Sequence, residues 1–569
     1  MAATTTNDSE SSNLYDHNPS SSSSTQTQPL LSSSPDPYPD SSDQTQFLQI
    51  SYKNAPNRPF KDIPFLILFT LFSLLAFAFG FFSIANKNNN YDSISSYYYN
   101  STSSSCAKNS TSSITDGGGV GDDPLGFGFA RDVDDDRNLG LLLFLGSGHF
   151  VKGLVWALVV TVLLSGPIVW GLLLLLKRYS KQVVYVAVPL AIGIMVGVNV
   201  YWFVACTVRD TCCEVFPLGY RVLVLVFVFV VIGIVVWVLV VSWDRVELTT
   251  RVMGVGADAL SRNLGLFGVL PVLAVGLVVY YVPIVVFLVF ARMNGKIVAK
   301  EESGEYYCVW KRDSWVPAYY ALAILTMLWT AAVALETKAY VITGTVAQWY
   351  FSKDDETARR RIRSSLRNAF GPSFGTVCFS GLLICVVWII RATVDCARRE
   401  DIPGFFNAVL RCFVNTFLSA IDFLNKFTIN FAAITGEAFC TSARMTYELL
   451  KRNLLSAVFV ETISSRLLIG IILVVSSIYA VAVCAITNAA SDLGIYSYYV
   501  GLSTLLLLLV VLGFFAHVLN SVIDTVYVCY AIDRDRGDVS KPDVHEVYVN
   551  LPISRSQRSS LISRAPLNV

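Results

Sequence analysis

The chain has 569 residues, of which 54% are hydrophobic and 15% charged, and its formal net charge is +1. Soluble globular proteins carry about 25% charged residues, so this composition excludes an ordinary soluble domain. A net charge near zero also gives no indication of a nucleic-acid partner.

The first 60 residues are rich in serine and poor in apolar side chains. The stretch SSSSSTQTQPLLSSSPDPYPDSSDQTQ lacks the apolar surface that a folded core requires, which predicts a disordered cytosolic tail over residues 1–60. No apolar segment follows Met1, so the sequence does not predict a signal peptide. The serines beside proline are candidate phosphorylation sites.

The rest of the chain contains apolar runs of about 20 residues, the length that a helix needs to cross the hydrocarbon core of a bilayer. Ten spans are predicted, at about Ile63–Ala85, Leu154–Leu176, Val183–Val208, Val222–Trp243, Leu266–Phe290, Val316–Ile342, Phe374–Ile390, Phe427–Leu449, Leu467–Ile486 and Gly501–Ile523. The predicted fold is all-α, a polytopic membrane protein with about ten transmembrane helices. Its regions are a first helix and extracellular loop over 61–150, a transmembrane core over 151–530 and a cytosolic C-terminal tail over 531–569.

Lysine and arginine cluster near the ends of the predicted spans. Lys53, Arg58 and Lys61 precede the first span, and the sequence RRRIRSSLR at residues 359–367 joins the sixth and seventh. With ten spans, these clusters lie on the same side as both termini. Because positively charged loops favour the cytosolic side, both termini are predicted to be cytosolic.

Glycosylation sequons and cysteines mark the opposite side. The sequons begin at Asn100 and Asn109, both in the loop after the first span, and they predict an extracellular, glycosylated loop. Four cysteines are predicted outside, where disulfides form, with their pairing left open: Cys106, Cys212, Cys213 and Cys308. Cys206 lies near the end of a span and is interpreted as a packing residue.

The segment between the seventh and eighth spans has two interpretations. Residues 403–425 show a helical apolar period that Arg411, Asn415 and Asp422 interrupt. The segment is either an interfacial helix or an eleventh crossing. An eleventh crossing would place the C-terminus outside, so the interfacial helix is preferred.

Three motifs, in the same order along the chain, resemble sequences of one membrane-protein family. They are GTVAQWYF at 344–351, GEAFCTSARMTYELLKRN at 436–453 and IDTVYVCYAIDRDRGDVSKP at 523–542. Over about residues 150–550 the chain is similar to the choline transporter-like proteins. The resemblance implies ten spans, cytosolic termini, a location in the plasma membrane and transport of choline or a related amine.

The sixth span carries side chains that suit such a cation. Aromatic rings and carboxylates bind quaternary amines, and the span places Trp329, Glu336 and Tyr340 near one helical face. These residues are candidate substrate ligands. The alternative is plain helix packing, with Glu336 paired to Lys338 or another basic group.

The eighth predicted span contains a carboxylate, Glu437. On a continuous helix this residue would share a polar stripe with Asn430 and Arg444. A carboxylate facing lipid costs about 2.5 kcal/mol or more, so Glu437 is predicted to face protein or water. Three roles stay open: attraction of the substrate cation, transfer of a coupling proton, and a structural bond to a neighbouring helix.

The last predicted span places His517, Asn520 and Asp524 on one face. A buried His–Asp pair transfers protons near neutral pH, so both residues are candidates for proton or ion coupling. The alternative places Asp524 at the cytosolic end, where it would bond helix termini.

These features predict a membrane transporter that moves choline or a related organic cation across the plasma membrane by alternating access. The alternative function is a non-transporting membrane scaffold or lipid-organising protein of the same fold. No spacing of cysteine and histidine indicates a metal site, and no Walker sequence or catalytic constellation is present. Neither a cofactor nor an enzymatic activity is predicted.

Overall fold

The computed structural model describes residues 58–549, except for 92, 102, 109–147, 209–217, 242, 303–304, 353–357, 397–403, 491–495 and 538. Nearly all of the predicted N-terminal tail lies outside the described residues, as do the second sequon at Asn109, Cys212, Cys213 and residues 550–569.

The described residues form twelve α-helices and two β-hairpins. The helices are α1 (Ile63–Ala85), α2 (Gly148–Val208), α3 (Leu218–Val241), α4 (Trp243–Ser261), α5 (Leu266–Arg292), α6 (Val316–Phe351), α7 (Ala358–Phe370), α8 (Phe374–Cys396), α9 (Gly404–Thr435), α10 (Phe439–Ala490), α11 (Tyr496–Arg536) and α12 (Pro542–Tyr548). The hairpins pair β1 (Tyr97–Asn100) with β2 (Ser105–Lys108), and β3 (Gly295–Glu302) with β4 (Glu305–Arg312).

Nine of the described helices are long and apolar enough to cross a membrane. One of them, α2, has an apolar part of 58 residues, Val151–Val208, which measures about 87 Å. The hydrocarbon core is only about 30 Å thick. The α2 backbone leaves helical geometry at Tyr179, between the second and third predicted spans. It therefore supplies two of about ten crossings, and the all-α polytopic fold is confirmed.

The eighth span is where the sequence-based boundaries are wrong. The predicted continuous helix Phe427–Leu449 is broken at residues 436–438, between α9 and α10. Gly436 has φ +77°, a left-handed conformation that glycine adopts without strain and that commonly ends a helix. Hydropathy averaged over a window does not detect such a break.

The interfacial helix predicted at residues 403–425 is also wrong. These residues belong to α9, whose segment Arg411–Thr435 is long and apolar enough to cross a membrane. Its interrupting charge is compensated within the bundle, since Arg391 of α8 donates to the Asp422 carboxylate at 2.7 Å. The span count is preserved because this crossing replaces the one predicted at 427–449.

Residues Arg58–Asp62, just before α1, hold the two helix ends at this break. The Arg58 guanidinium donates to the backbone carbonyls of Ala433 and Ile434, the last turn of α9. The Asp62 carboxylate accepts the backbone N–H of Phe439, the first residue of α10, at 2.8 Å. A cation thus lies at a helix C-terminus and an anion at a helix N-terminus, the arrangement that helix dipoles favour.

The two hairpins lie at the far end of α1 and are joined by the disulfide Cys106–Cys308. The rings of Tyr99 and Tyr306 stack across the same junction, with centroids 4.7 Å apart. This is one of the pairings that the sequence left open. Cys206 is also disulfide-bonded, so its interpretation as a packing residue is wrong.

Replacing Cys106 by Ser, Cys308 by Ser, or both is expected to lower stability equally, since each change breaks the same bond. Loss of a native disulfide typically costs about 2–5 kcal/mol. Thermal unfolding of the three purified variants in one detergent, without reductant, measures the effect. A double variant less stable than either single variant would contradict a shared contribution.

The bundle interior is formed by α6 and α11 with the helices packed around them. Residues 340–350 of α6 and 522–533 of α11 are buried without interruption. The last helix, α12, folds back on this core, with Tyr548 only 1% exposed. Part of the predicted C-terminal tail is helical, because α11 continues to Arg536 and α12 follows at Pro542–Tyr548, with Val544 and Tyr548 buried.

Candidate functional site

A carboxylate, a hydroxyl and an amide meet where α6, α8 and α9 pack together. Glu336 of α6 accepts hydrogen bonds from Ser380 Oγ at 2.9 Å and from Asn425 Nδ2 at 3.3 Å. Asn425 Nδ2 also lies 2.9 Å from Ser380 Oγ. These three residues are called the Glu336 group. Among the described residues, no basic side chain forms an ion pair with Glu336.

Close approach of α6 and α8 positions this group. A Cβ atom at Gly381 would lie only 2.8 Å from Val333 Cγ2 and 2.9 Å from the Val333 backbone nitrogen. A glycine is therefore required at this crossing, as is common where membrane helices touch. Ser380 precedes this glycine in α8, so the close approach brings its hydroxyl to Glu336.

A second set of charges lies next to the first. Lys426 Nζ is 2.8 Å from Glu461 Oε1 of α10 and 2.6 Å from Asp524 Oδ2 of α11. These three residues are called the Lys426 triad, and they contain one more carboxylate than ammonium. Lys426 follows Asn425 in α9, so one turn of this helix carries members of both sets.

Hydroxyl and amide side chains within one helical turn of these charges continue the polar interior. Thr343 donates to Asn430 Oδ1 at 2.8 Å and lies 3.1 Å from the Thr525 hydroxyl. Asn520 donates to Ser465 at 2.9 Å. Since buried polar groups need partners, these bonds allow a polar layer to persist inside an apolar bundle.

The helix α12 packs against α11. Tyr548 packs on the ring of Tyr530, with centroids 5.3 Å apart. Burial raises the pKa of the Tyr548 hydroxyl well above its ordinary value, and the charge of Asp524 raises that pKa further. Tyr548 therefore stays neutral.

Two of the predicted ligands of the sixth span have partners of their own. The Trp329 indole is 2% exposed, donates from Nε1 to the Cys378 carbonyl at 3.1 Å, and contacts the edges of Phe69 and Phe72. The structure places this ring in helix packing, where neither face is open to a cation.

The Tyr340 side chain also has hydrogen-bond partners within the protein. Its hydroxyl accepts from Arg58 at 3.0 Å and donates to Ser373 at 2.8 Å, and the residue is 1% exposed. Glu336 is thus the member of the predicted stripe that lies in the polar interior. The structure does not bring Trp329, Glu336 and Tyr340 together as one cage.

Glu437 lies outside both neighbouring helices. The predicted polar stripe through it is wrong, because the helix ends at Thr435. Its carboxylate pairs with Lys61 at 3.2 Å, and the two side chains are 42% and 30% exposed. The pair fastens the Arg58–Asp62 segment to the break, and at this exposure it contributes about 0.2–1 kcal/mol.

Among the described residues, no hydrogen bond or ion pair joins His517 to Asp524, although both lie within electrostatic reach of Lys426. Asp524 is 2% exposed and pairs with Lys426, whereas His517 lies on an exposed part of the α11 surface. Asp524 does not lie at the terminus of its own helix, since α11 continues to Arg536.

Sequence reasoning missed four residues of the polar interior: Ser380, Asn425, Lys426 and Glu461. Asn425 and Lys426 lay at the edge of the segment assigned to the interface, and Glu461 lay between two predicted spans. The available signal was the interrupted apolar period of 403–425, which indicates a helix with polar groups facing protein.

Comparison with known sequences shows the protein family to which the chain is related. A family model described as plasma-membrane choline transporter matches residues 226–535, more than half of the chain. The chain belongs to this family. The family expectation from the three motifs is confirmed, and the chain is a multi-pass membrane protein of a transporter family.

Individual relatives are distant. A CTL-like protein of Dictyostelium discoideum is 25% identical over 240 residues, covering 39% of this chain and 43% of the relative. A second one from that organism is 20% identical over 439 residues, 72% of each chain. Choline transporter-like protein 5 of Macaca fascicularis is 26% identical over 255 residues, 42% of this chain and 35% of the relative. The chain thus matches less than half the length of the first and third of these.

Proposed function

We propose that this protein moves choline or a related organic cation across the plasma membrane by alternating access, with the Glu336 group as its substrate site. The observation that supports this most directly is the Glu336 carboxylate. It lies within a membrane span, it is oriented by two hydrogen-bond donors, and it has no cationic partner among the described residues. Such a carboxylate is a functional candidate, and a substrate cation would complete its charge.

The chemistry of choline fits this arrangement. A quaternary ammonium has no N–H to donate, so it is attracted by charge and by contact rather than by hydrogen bonds. In a site of low dielectric, one carboxylate supplies most of that attraction. Ser380 and Asn425 hold the carboxylate in place, which lowers the cost of ordering it when a cation enters.

The helix break at 436–438 suits alternating access. Transporter sites commonly lie where membrane helices are discontinuous, because the broken ends rearrange without unfolding a whole helix. Here the Arg58–Asp62 segment binds both broken ends and the Tyr340 hydroxyl. Release of these bonds would open the bundle on that side while the packing around Trp329 stays intact.

The same segment supports the orientation of the chain. Disulfides form in oxidising compartments, which favours an extracellular position for the Cys106–Cys308 bond. The other end of α1 carries the Arg58–Asp62 segment, and basic segments favour the cytosol. We therefore place both termini in the cytosol.

This orientation predicts that Asn100, at the end of β1, carries a glycan. Replacing Asn100 by Gln is expected to increase electrophoretic mobility by one glycan, and enzymatic deglycosylation should remove the difference. Tags at either terminus should resist protease added to intact cells. A C-terminal tag cleaved from outside would contradict an even number of crossings.

Uptake of labelled choline into vesicles that contain the purified chain tests the proposed function. We expect saturable flux that unlabelled choline inhibits. The uncharged analogue 3,3-dimethylbutan-1-ol has the same shape without the charge, so it should compete at least about 30-fold more weakly, the effect of losing about 2 kcal/mol. Flux that does not saturate would refute the proposal.

A further inference from the structure

The Lys426 triad places an organic ammonium between two carboxylates inside a transporter. Lys426 Nζ lies 2.8 Å from Glu461 and 2.6 Å from Asp524, and these partners belong to different helices, α10 and α11. The lysine itself belongs to α9. Its side chain therefore joins three membrane helices through one positive charge.

Two of the three side chains in the triad are partly exposed. The side chains of Lys426 and Glu461 are 34% and 26% exposed, whereas Asp524 is 2% exposed. A fully buried ion pair makes its charges inaccessible to any competitor. Here the Lys426 and Glu461 side chains are only partly covered by the helices, so packing within the chain does not close off this part of the triad.

The triad is also coupled to the Glu336 group by chain connectivity. Asn425 donates to Glu336, and Lys426 is the next residue of the same helix. A cation that draws Glu336 away from Asn425 would break this bond on the turn of α9 that also carries the lysine. The two sets of charges therefore share one turn of α9.

We propose that Glu461 and Asp524 form a second site for an organic ammonium, and that Lys426 is its tethered competitor. The lysine ammonium occupies these carboxylates in the empty protein and leaves them when a substrate cation arrives from the Glu336 group. This rests on the proposed transport function and extends it with a second position along the substrate path.

Occupation by Lys426 has a measurable consequence. When a site is competent in only a fraction of molecules, the apparent dissociation constant rises in inverse proportion to that fraction. If the lysine occupies the carboxylates in about nine of ten molecules, its removal strengthens cation binding about tenfold.

The test is choline binding to the full-length chain in nanodiscs, measured by calorimetry for the wild type and for Lys426→Gln. We expect Lys426→Gln to bind choline about tenfold more tightly. Lys338→Gln is the matched control, since Lys338 is a lysine of α6 with no ion pair among the described residues. If the loss of any interior positive charge were enough to strengthen choline binding, both variants would gain the same affinity. That result would overturn the proposal.

Lys426→Gln leaves two carboxylates without their ammonium, which could prevent folding. A second variant therefore keeps the net charge of the triad unchanged. Lys426→Gln combined with Asp524→Asn removes one charge of each sign and leaves Glu461 free. It should still bind choline more tightly than the wild type. Unchanged or weaker binding in both folded Lys426 variants would show that the triad is only a structural ion pair.

The outcomes also separate this inference from the transport proposal. Saturable choline binding by the wild type, with no gain in either Lys426 variant, overturns the tethered competitor and leaves the Glu336 site standing. No choline binding by the wild type or by any variant overturns both.

Discussion

Replacing Glu336 by Gln is expected to weaken choline binding about 30- to 150-fold, a loss of about 2–3 kcal/mol. Glutamine keeps the size of the side chain and one oxygen that accepts from Ser380 or Asn425. It removes the negative charge that would neutralise the substrate. The loss should therefore appear in affinity, whereas the yield and thermal stability of the protein stay close to those of the wild type.

Glu437→Gln is the matched control for this experiment. It is the same substitution at the other glutamate predicted from the sequence, but at an exposed position beside Lys61. We expect a change of less than about fivefold, which corresponds to the weak contribution of an exposed ion pair. Binding that is unaffected by Glu336→Gln but lost in Glu437→Gln would reverse the assignment of the site.

Replacing Asp62 by Ala is expected to lower the free energy of unfolding by about 3 kcal/mol. The carboxylate accepts from the Phe439 N–H and from Thr376 Oγ1, and loss of each bond costs about 1 kcal/mol. Asp62 also has φ 53°, and an alanine in this left-handed region costs about 1 kcal/mol more.

Two further substitutions at Asp62 separate these effects. Asparagine keeps an acceptor oxygen and tolerates the left-handed region, so Asp62→Asn should lose no more than about 1 kcal/mol. Glycine relieves the strain but lacks the acceptor, so Asp62→Gly should lie between the two. Denaturation midpoints of the three purified variants give the order. If asparagine were as harmful as alanine, the negative charge rather than the hydrogen bonds would hold the start of α10.

Gly375 explains why Asp62 is held so closely against the bundle. A Cβ atom at residue 375 would lie 2.4 Å from the Lys61 carbonyl oxygen and 2.5 Å from that of Asp62. The backbone before α1 thus runs directly over the start of α8. This contact joins residues more than 300 positions apart, so no local pattern in the sequence indicates it.

The amino-acid sequence by itself determined the class of the protein and most of its spans. Long apolar segments specify membrane helices because every backbone polar group in hydrocarbon must be bonded within its own segment. The three family motifs are also local, since each is a short run of consecutive residues. These features can be identified without knowing which helices contact one another.

Only the tertiary structure decided which polar residues face one another. Glu336 and Glu437 are equivalent in a hydropathy window, yet one meets Ser380 and Asn425 inside the bundle and the other meets Lys61 at a helix break. Lys426, Glu461 and Asp524 come from three helices, and their pairing depends on how those helices cross. Periodicity gives the face of a helix that a residue occupies, but the neighbour opposite that face is set by packing between distant segments.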